Sequence, residues 1–178
     1  MSMPVVDPDS IEEYIKPIYS FIFRLVGNVP DAEDLTQETF LKTWKNIRKF
    51  DKNKSFKTWI FTIARNTVTD HFRKKKSIPF SNLDRITDDH AESFESTLQS
   101  GELSPEEIFE KREEESVLLM ALNSLSLDEK TIIVLRHTDE LTFDEISLIM
   151  NKPMNTIKSI YYRSTLKLKK TIMHQNGR

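Results

Sequence analysis

Three observations predict an all-α fold in two small helical domains joined by a flexible acidic linker. Only three glycines (Gly27, Gly101, Gly177) serve 178 residues, too few for a fold of tight hairpins, whose turns need residues that reach positive φ. Asp, Ser or Thr followed three residues later by an acid recurs at Asp31/Asp34, Ser104/Glu107, Ser126/Glu129 and Thr142/Glu145. Each pair puts an oxygen where it accepts orphan amide protons, with an acid near N3 facing the helix dipole. Between these signals residues 77–103, SIPFSNLDRITDDHAESFESTLQSGEL, show no sustained apolar period and are rich in Ser, Asp and Glu, the composition of a linker. The boundaries expected are 1–80, 81–103 and 104–178.

The elements follow in order. A first helix is expected over 10–26, ended by Gly27 and bent or shortened by Pro17. A second, over 31–47, is expected to turn Phe40, Trp44 and Ile47 inward and to leave Asp34, Gln37, Glu38 and Lys45 outside. On a third, over 58–76, Ile60, Ile63, Ala64, Thr67, Val68 and His71 form the side suited to burial, and Thr62, Arg65, Asn66, Thr69, Asp70 and Arg73 the opposite one. After the linker, Pro105 supports a helix start at Ser104, because proline at the first helical position forfeits a bond that would be unmade anyway. Last comes LTFDEISLIMNKPMNTIKSIYYRSTLKLKK, laid out as a helix-turn-helix. Thr142 caps a short helix carrying Ile146, Ile149 and Met150, NKP interrupts it, and a longer helix begins near Pro153. On that helix Met154, Ile157, Ile160, Tyr161 and Leu168 share one side, while Asn155, Ser159, Tyr162, Arg163 and Lys170 point away.

Charge is segregated, although the net formal charge is only -2. Residues 42–57 hold seven bases against Asp51, and residues 65–76 hold five against Asp70. Residues 84–115 reverse this with twelve acids against three bases, and the C-terminal end is basic again. Two cationic blocks separated by an anionic one suit two contacts with a polyanion. Residues 81–103, fully extended at roughly 3.5 Å per residue, reach up to ~80 Å, about two turns of DNA.

The chemistry of the blocks agrees with a nucleic-acid partner. Recognition helices read the major groove from their N-terminal part and hold phosphates with flanking cations. Phe50, Phe56 and Trp59 stand among cations, as binding to a single strand requires; the same rings would also serve as core. Catalysis has little support, since His71, His90, His137 and His174 are scattered and neither H-E-x-x-H nor a nucleophile elbow occurs. HTDE at 137–140 reads as a loop or helix end of solvated polar residues rather than a metal site. No cysteine is present, which excludes disulfides and thiolate metal sites. No apolar run approaches the 18 or so residues of a membrane span, so a soluble cytoplasmic protein is expected.

With DAEDLTQETFLKTW, FKTWIFTIARNTVTDHFRKK and LTFDEISLIMNKPMNTIKSIYYRS in this order, the chain resembles bacterial RNA polymerase sigma factors of the extracytoplasmic-function (ECF) class of the sigma-70 family, over roughly 11–76 and 105–172. The resemblance implies a region 2 bundle that binds core polymerase and helps open the promoter -10 element, and a region 4 helix-turn-helix that reads the -35 element. It implies polymerase docking, on the β′ coiled coil, by Asp34, Gln37 and Glu38, with region 4 on the β flap. It implies -10 contacts by Asn53, Asn66, Asp70, Arg73 and Lys74, with the loop 51–55 near an unstacked base. It implies -35 contacts by Asn155, Thr156, Lys158, Ser159, Tyr162 and Arg163. An anti-sigma partner is also implied, whereas a cofactor, a catalytic role and direct membrane insertion are not. Two departures from the family pattern are LSLDEK in place of the usual L-P, and Asn155 where a small residue is common. An alternative reading is a helix-turn-helix regulator acting without polymerase as its main partner. A nucleic-acid enzyme would need a metal or nucleophile that the residues do not supply.

Overall fold

The computed structural model describes residues 11–77, 118 and 120–175, and every regular element among them is helical. The linker 81–103 and the helix start at Ser104 and Pro105 lie outside the described residues. The elements are α1 (Ile15–Val26), α2 (Val29–Asn46), a 3-10 turn (Ile47–Lys49), α3 (Phe56–Ser77), α4 (Leu127–His137), α5 (Phe143–Met150) and α6 (Met154–Gln175).

Local chemistry sets their ends. Pro17 falls in the first turn of α1, where its missing N–H costs nothing, so the helix is shortened at its start. Gly27 ends it with φ 79°, a left-handed conformation in which a Cβ is strained. Asp31 is not the cap of α2. The helix begins earlier, because the Asn28 side chain accepts the Asp31 amide at 2.9 Å and donates to the Asp31 carboxylate at 2.9 Å. A cap that shares its bonds with the acid at N3 outcompetes the acid itself. At α3 the Ser55 hydroxyl accepts the Thr58 amide.

In the C-terminal half the expected caps are in place. Ser126 with Glu129 and Thr142 with Glu145 both form reciprocal capping boxes. The Ser126 amide, foremost, holds the Glu129 carboxyl below its ordinary range. Helix α5 has only 8 residues, and short helices depend strongly on their ends and on tertiary packing. Thr142→Ala is therefore expected to cost about 1 kcal/mol, read as a lower denaturant midpoint with an unchanged slope. Asn151, at φ 50°, ends α5 in the left-handed region and supplies the turn of the helix-turn-helix.

Helices α1, α2 and α3 pack on one another, as do α4, α5 and α6. The two sets then share a seam, with α1 against α4 and α3 along α5. Phe21, Ile22, Leu25 and Phe61 on one side and Ile132, Leu135, Ile146 and Ile149 on the other belong to one continuous apolar cluster. Each fully buried side chain of this kind contributes about 1.5–3 kcal/mol.

Candidate nucleic-acid interface

On α3, Ile60, Ala64, Thr67 and Val68 are buried, whereas Ile63 and His71 are only half-buried. Phe61, which the period analysis placed on neither face, is 0% exposed and meets Phe21 edge-on at 5.3 Å. It is buried because α3 packs against three helices, α1, α2 and α5, which cover more of its surface than one apolar stripe. The polar side is correspondingly narrower than expected. Asn66, Arg73 and Lys74 are exposed, while Thr62, Arg65, Thr69 and Asp70 are half-covered. Arg65 donates to the Asn66 side chain and reaches Asp128 of α4 at 3.6 Å, and Arg73 pairs with Asp70 at 3.1 Å.

Preceding α3, the exposed loop 51–55 is shaped by Asp51, which accepts both the Asn53 amide and its side-chain N–H. Asn53 therefore stands at the tip of a small Asx turn. Behind the loop, Phe50, Phe56 and Trp59 pack together with ring centroids 5.0–5.6 Å apart, and Tyr14 closes on Phe56 at 5.3 Å. All three rings are half-buried, so they form a cluster supporting the loop and still offer edges to solvent.

Not all of the cationic block faces outward. Lys42 bridges Glu38 at 2.7 Å and the Thr67 hydroxyl at 3.1 Å, joining α2 to α3, and Lys75 and His71 lie near Asp31. Lys45, Arg48, Lys49, Lys52 and Lys54 are exposed and carry the positive field of this end.

The inward side of α2 departs from expectation, since Phe40 and Ile47 are only half-buried. Asp34 and Gln37 are exposed and Glu38 is half-exposed, but Trp44, expected inside, is 64% exposed, as is Leu41 at 61%. The buried stripe is instead Ala32, Leu35, Thr36, Thr39 and Thr43. Each threonine hydroxyl donates to the carbonyl four residues back, at 2.7, 2.7 and 2.8 Å, so the polar atom is satisfied within the helix and the methyl faces the core. Counting hydrophobic residues alone picks the wrong stripe. Threonine at 36, 39 and 43 was the available signal.

In the helix-turn-helix, Ile146, Ile149, Met150 and Ile157 are buried. Asn155, Thr156, Ser159, Tyr162 and Arg163 are exposed along one side of α6, with Lys158 half-exposed beside them. Lys158 and Arg136 lie over the Phe143 ring at 5.9 and 5.2 Å, and Tyr161 is fixed by His137 at 3.0 Å. Arg163 donates to the Ser159 carbonyl at 3.2 Å. The first turns of α6 thus present amide, hydroxyl and guanidinium groups from a supported helix, a set able to bond base edges and phosphates.

HTDE is not a solvated loop throughout, because Asp139 is 9% exposed and its Oδ2 has no hydrogen-bond partner among the described residues. The same residues contain no group of acids and histidines able to hold a metal ion, and no helix among them is long and apolar enough to cross a membrane.

Comparison with known proteins covers both halves. Residues 11–78 match the family described as Sigma-70 region 2, and residues 116–168 match Sigma-70, region 4. The ECF RNA polymerase sigma factor SigW of Bacillus subtilis is 32% identical over 92% of this chain and 87% of its own. The ECF RNA polymerase sigma-E factor of Escherichia coli K12 is 32% identical over 86% and 80%. Among solved structures, the sigma factor RpoE of Bartonella quintana, in complex with the anti-sigma factor NepR, superposes with a TM-score of 0.70 at 26% identity, covering 93% of this chain and 97% of that one. The chain therefore belongs to the ECF sigma factors of the sigma-70 family.

Proposed function

We propose that the chain directs core RNA polymerase to a set of promoters and aids their local melting. In this reading Asp34, Gln37 and Glu38, joined by the exposed Leu41 and Trp44, dock on polymerase. Asn53, Asn66, Asp70, Arg73 and Lys74 meet the -10 element, and Asn155, Thr156, Lys158, Ser159, Tyr162 and Arg163 address the -35 element. The domains are 1–80 and 104–178, with 81–103 spanning the distance between the elements. The protein acts in the cytoplasm, is not an enzyme in its own right, and is restrained by an anti-sigma partner.

The observation that carries this reading is the family match over both halves. A regulator acting without polymerase would explain the helix-turn-helix and leave residues 11–78 without a role. Two modest DNA contacts become strong together once polymerase holds both, because the second forms at high effective concentration. The test is to add the chain to core polymerase with fragmented genomic DNA and map RNA 5′ ends. Defined starts that require the chain support the reading, and tight duplex binding by the free chain without initiation favours the regulator. On a promoter so identified, Arg163→Ala is expected to weaken -35 recognition by about 1–3 kcal/mol, seen as less dependence of initiation on the -35 sequence. Unchanged dependence removes the base contact.

A further inference from the structure

Asp51 is the only acid in the basic segment 42–57, and it lies in an exposed loop with Lys49, Lys52 and Lys54 exposed around it. Toward a phosphate backbone a carboxylate there weakens the field of its neighbours. Its hydrogen bonds are local. Asp51 Oδ1 accepts the Asn53 amide at 3.0 Å and the Asn53 side-chain N–H at 3.1 Å. The turn is also closed by a main-chain bond, from the Lys54 amide to the Asp51 carbonyl at 2.9 Å. The course of the loop therefore does not rest on the carboxylate alone, and the bond left over acts on the Asn53 side chain.

A carboxamide has two ends of similar shape, an oxygen that accepts and an NH2 that donates. On an open surface it turns either way. Beside Asp51 Oδ1 only the NH2 end is stable, because the carboxamide oxygen and a carboxylate oxygen are both acceptors and repel. Asn53 thus holds its NH2 toward Asp51 and its Oδ1 away, and its side chain has no other partner among the described residues. Behind the tip stand the half-buried rings of Phe50, Phe56 and Trp59, and on either side of Asn53 the exposed Lys52 and Lys54. Rings and charge hold an unstacked base without choosing it, since every base has a π-face.

We propose that Asp51 is a positioning residue for base choice: by fixing the Asn53 carboxamide with its oxygen free, it makes the loop tip prefer an unstacked base bearing an exocyclic amino group where thymine and guanine carry a keto oxygen, hence cytosine over thymine. This role rests on the reading of Asn53 as a -10 contact and adds the residue that sets its selectivity. Two acceptors are free at the tip, Asn53 Oδ1 and the second Asp51 oxygen. An amino group donates to them, whereas a keto oxygen in the same place is repelled and left unpaired.

Base choice is measured with the chain and core polymerase on templates whose -10 segment is already unpaired, so that a changed base in the non-template strand leaves duplex stability alone. At one position of that strand the wild type should start RNA roughly three- to tenfold better with cytosine than with thymine, the worth of one hydrogen bond. Asp51→Ala should bring the ratio to within about twofold, because the carboxamide then turns freely. Asp51→Asn, whose side-chain carbonyl still accepts, should keep it. A purely structural Asp51 would lower initiation on both templates alike and leave the ratio unchanged; that result, or a wild type without preference for cytosine at any position, overturns the proposal. A second readout needs no polymerase. Oligo-dC should shift the Asn53 side-chain amide resonances of the free wild-type chain at several-fold lower concentration than oligo-dT, and the two should act equally on Asp51→Ala. If the wild type starts no RNA on any template, the promoter reading fails and this titration still decides the role of Asp51, an equal response of the wild type to both oligonucleotides overturning it.

Discussion

Phe61→Ala is expected to lower folding stability by about 3–5 kcal/mol, enough to leave a marginal protein partly unfolded. The ring is 0% exposed, meets Phe21 at 5.3 Å and belongs to the continuous apolar cluster. Removing it deletes buried surface and leaves a cavity beside Phe21, between α1 and α3. The cost should appear in urea as a lower midpoint with the slope retained. Phe61→Leu keeps most of the volume and should recover much of the loss. A stability loss below about 1 kcal/mol for the alanine variant would mean that the site is solvent-accessible in solution.

Trp44→Ala should do the reverse, changing folding stability by no more than about 0.5 kcal/mol while weakening core polymerase binding by about 2 kcal/mol or more, roughly 30-fold. The indole is 64% exposed, so the folded chain gains little from it. It stands one turn or two along α2 from Leu41, Glu38 and Gln37, and a large aromatic beside acids and an aliphatic is the usual composition of an energetic centre in an interface. Unaltered affinity, measured by competition for core polymerase, would take Trp44 out of the docking surface.

These two residues also mark how far the sequence could be read. Helix starts with reciprocal bonds, at Ser126 and Thr142, were legible because the two partners lie three residues apart and need nothing from the rest of the fold. The exposed side of α6 was legible because Ile157 and its neighbours have a single burial direction. Trp44 was misplaced because threonines that bond their own backbone can line a core. Phe61 was missed because a helix packed against three others, as α3 is against α1, α2 and α5, buries more than one apolar stripe. Two lysines that bridge the halves had no local signal, since Lys57 donates to the Asp139 carbonyl across 82 residues and Lys130 to the Leu25 carbonyl across 105. A charge block reads the same whether its members face solvent or a helix end.

In the proposed function two helical units of one chain, carried by polymerase, touch separate stretches of one promoter. It is tested most directly by attaching a DNA-cleaving iron chelate to Lys54→Cys or Thr165→Cys, both exposed positions, and mapping the cuts in an initiating complex. Two cut patches are expected on the same duplex, one per label, about 70 Å or two helical turns apart. Cuts from both labels at one place, or from neither, would contradict it.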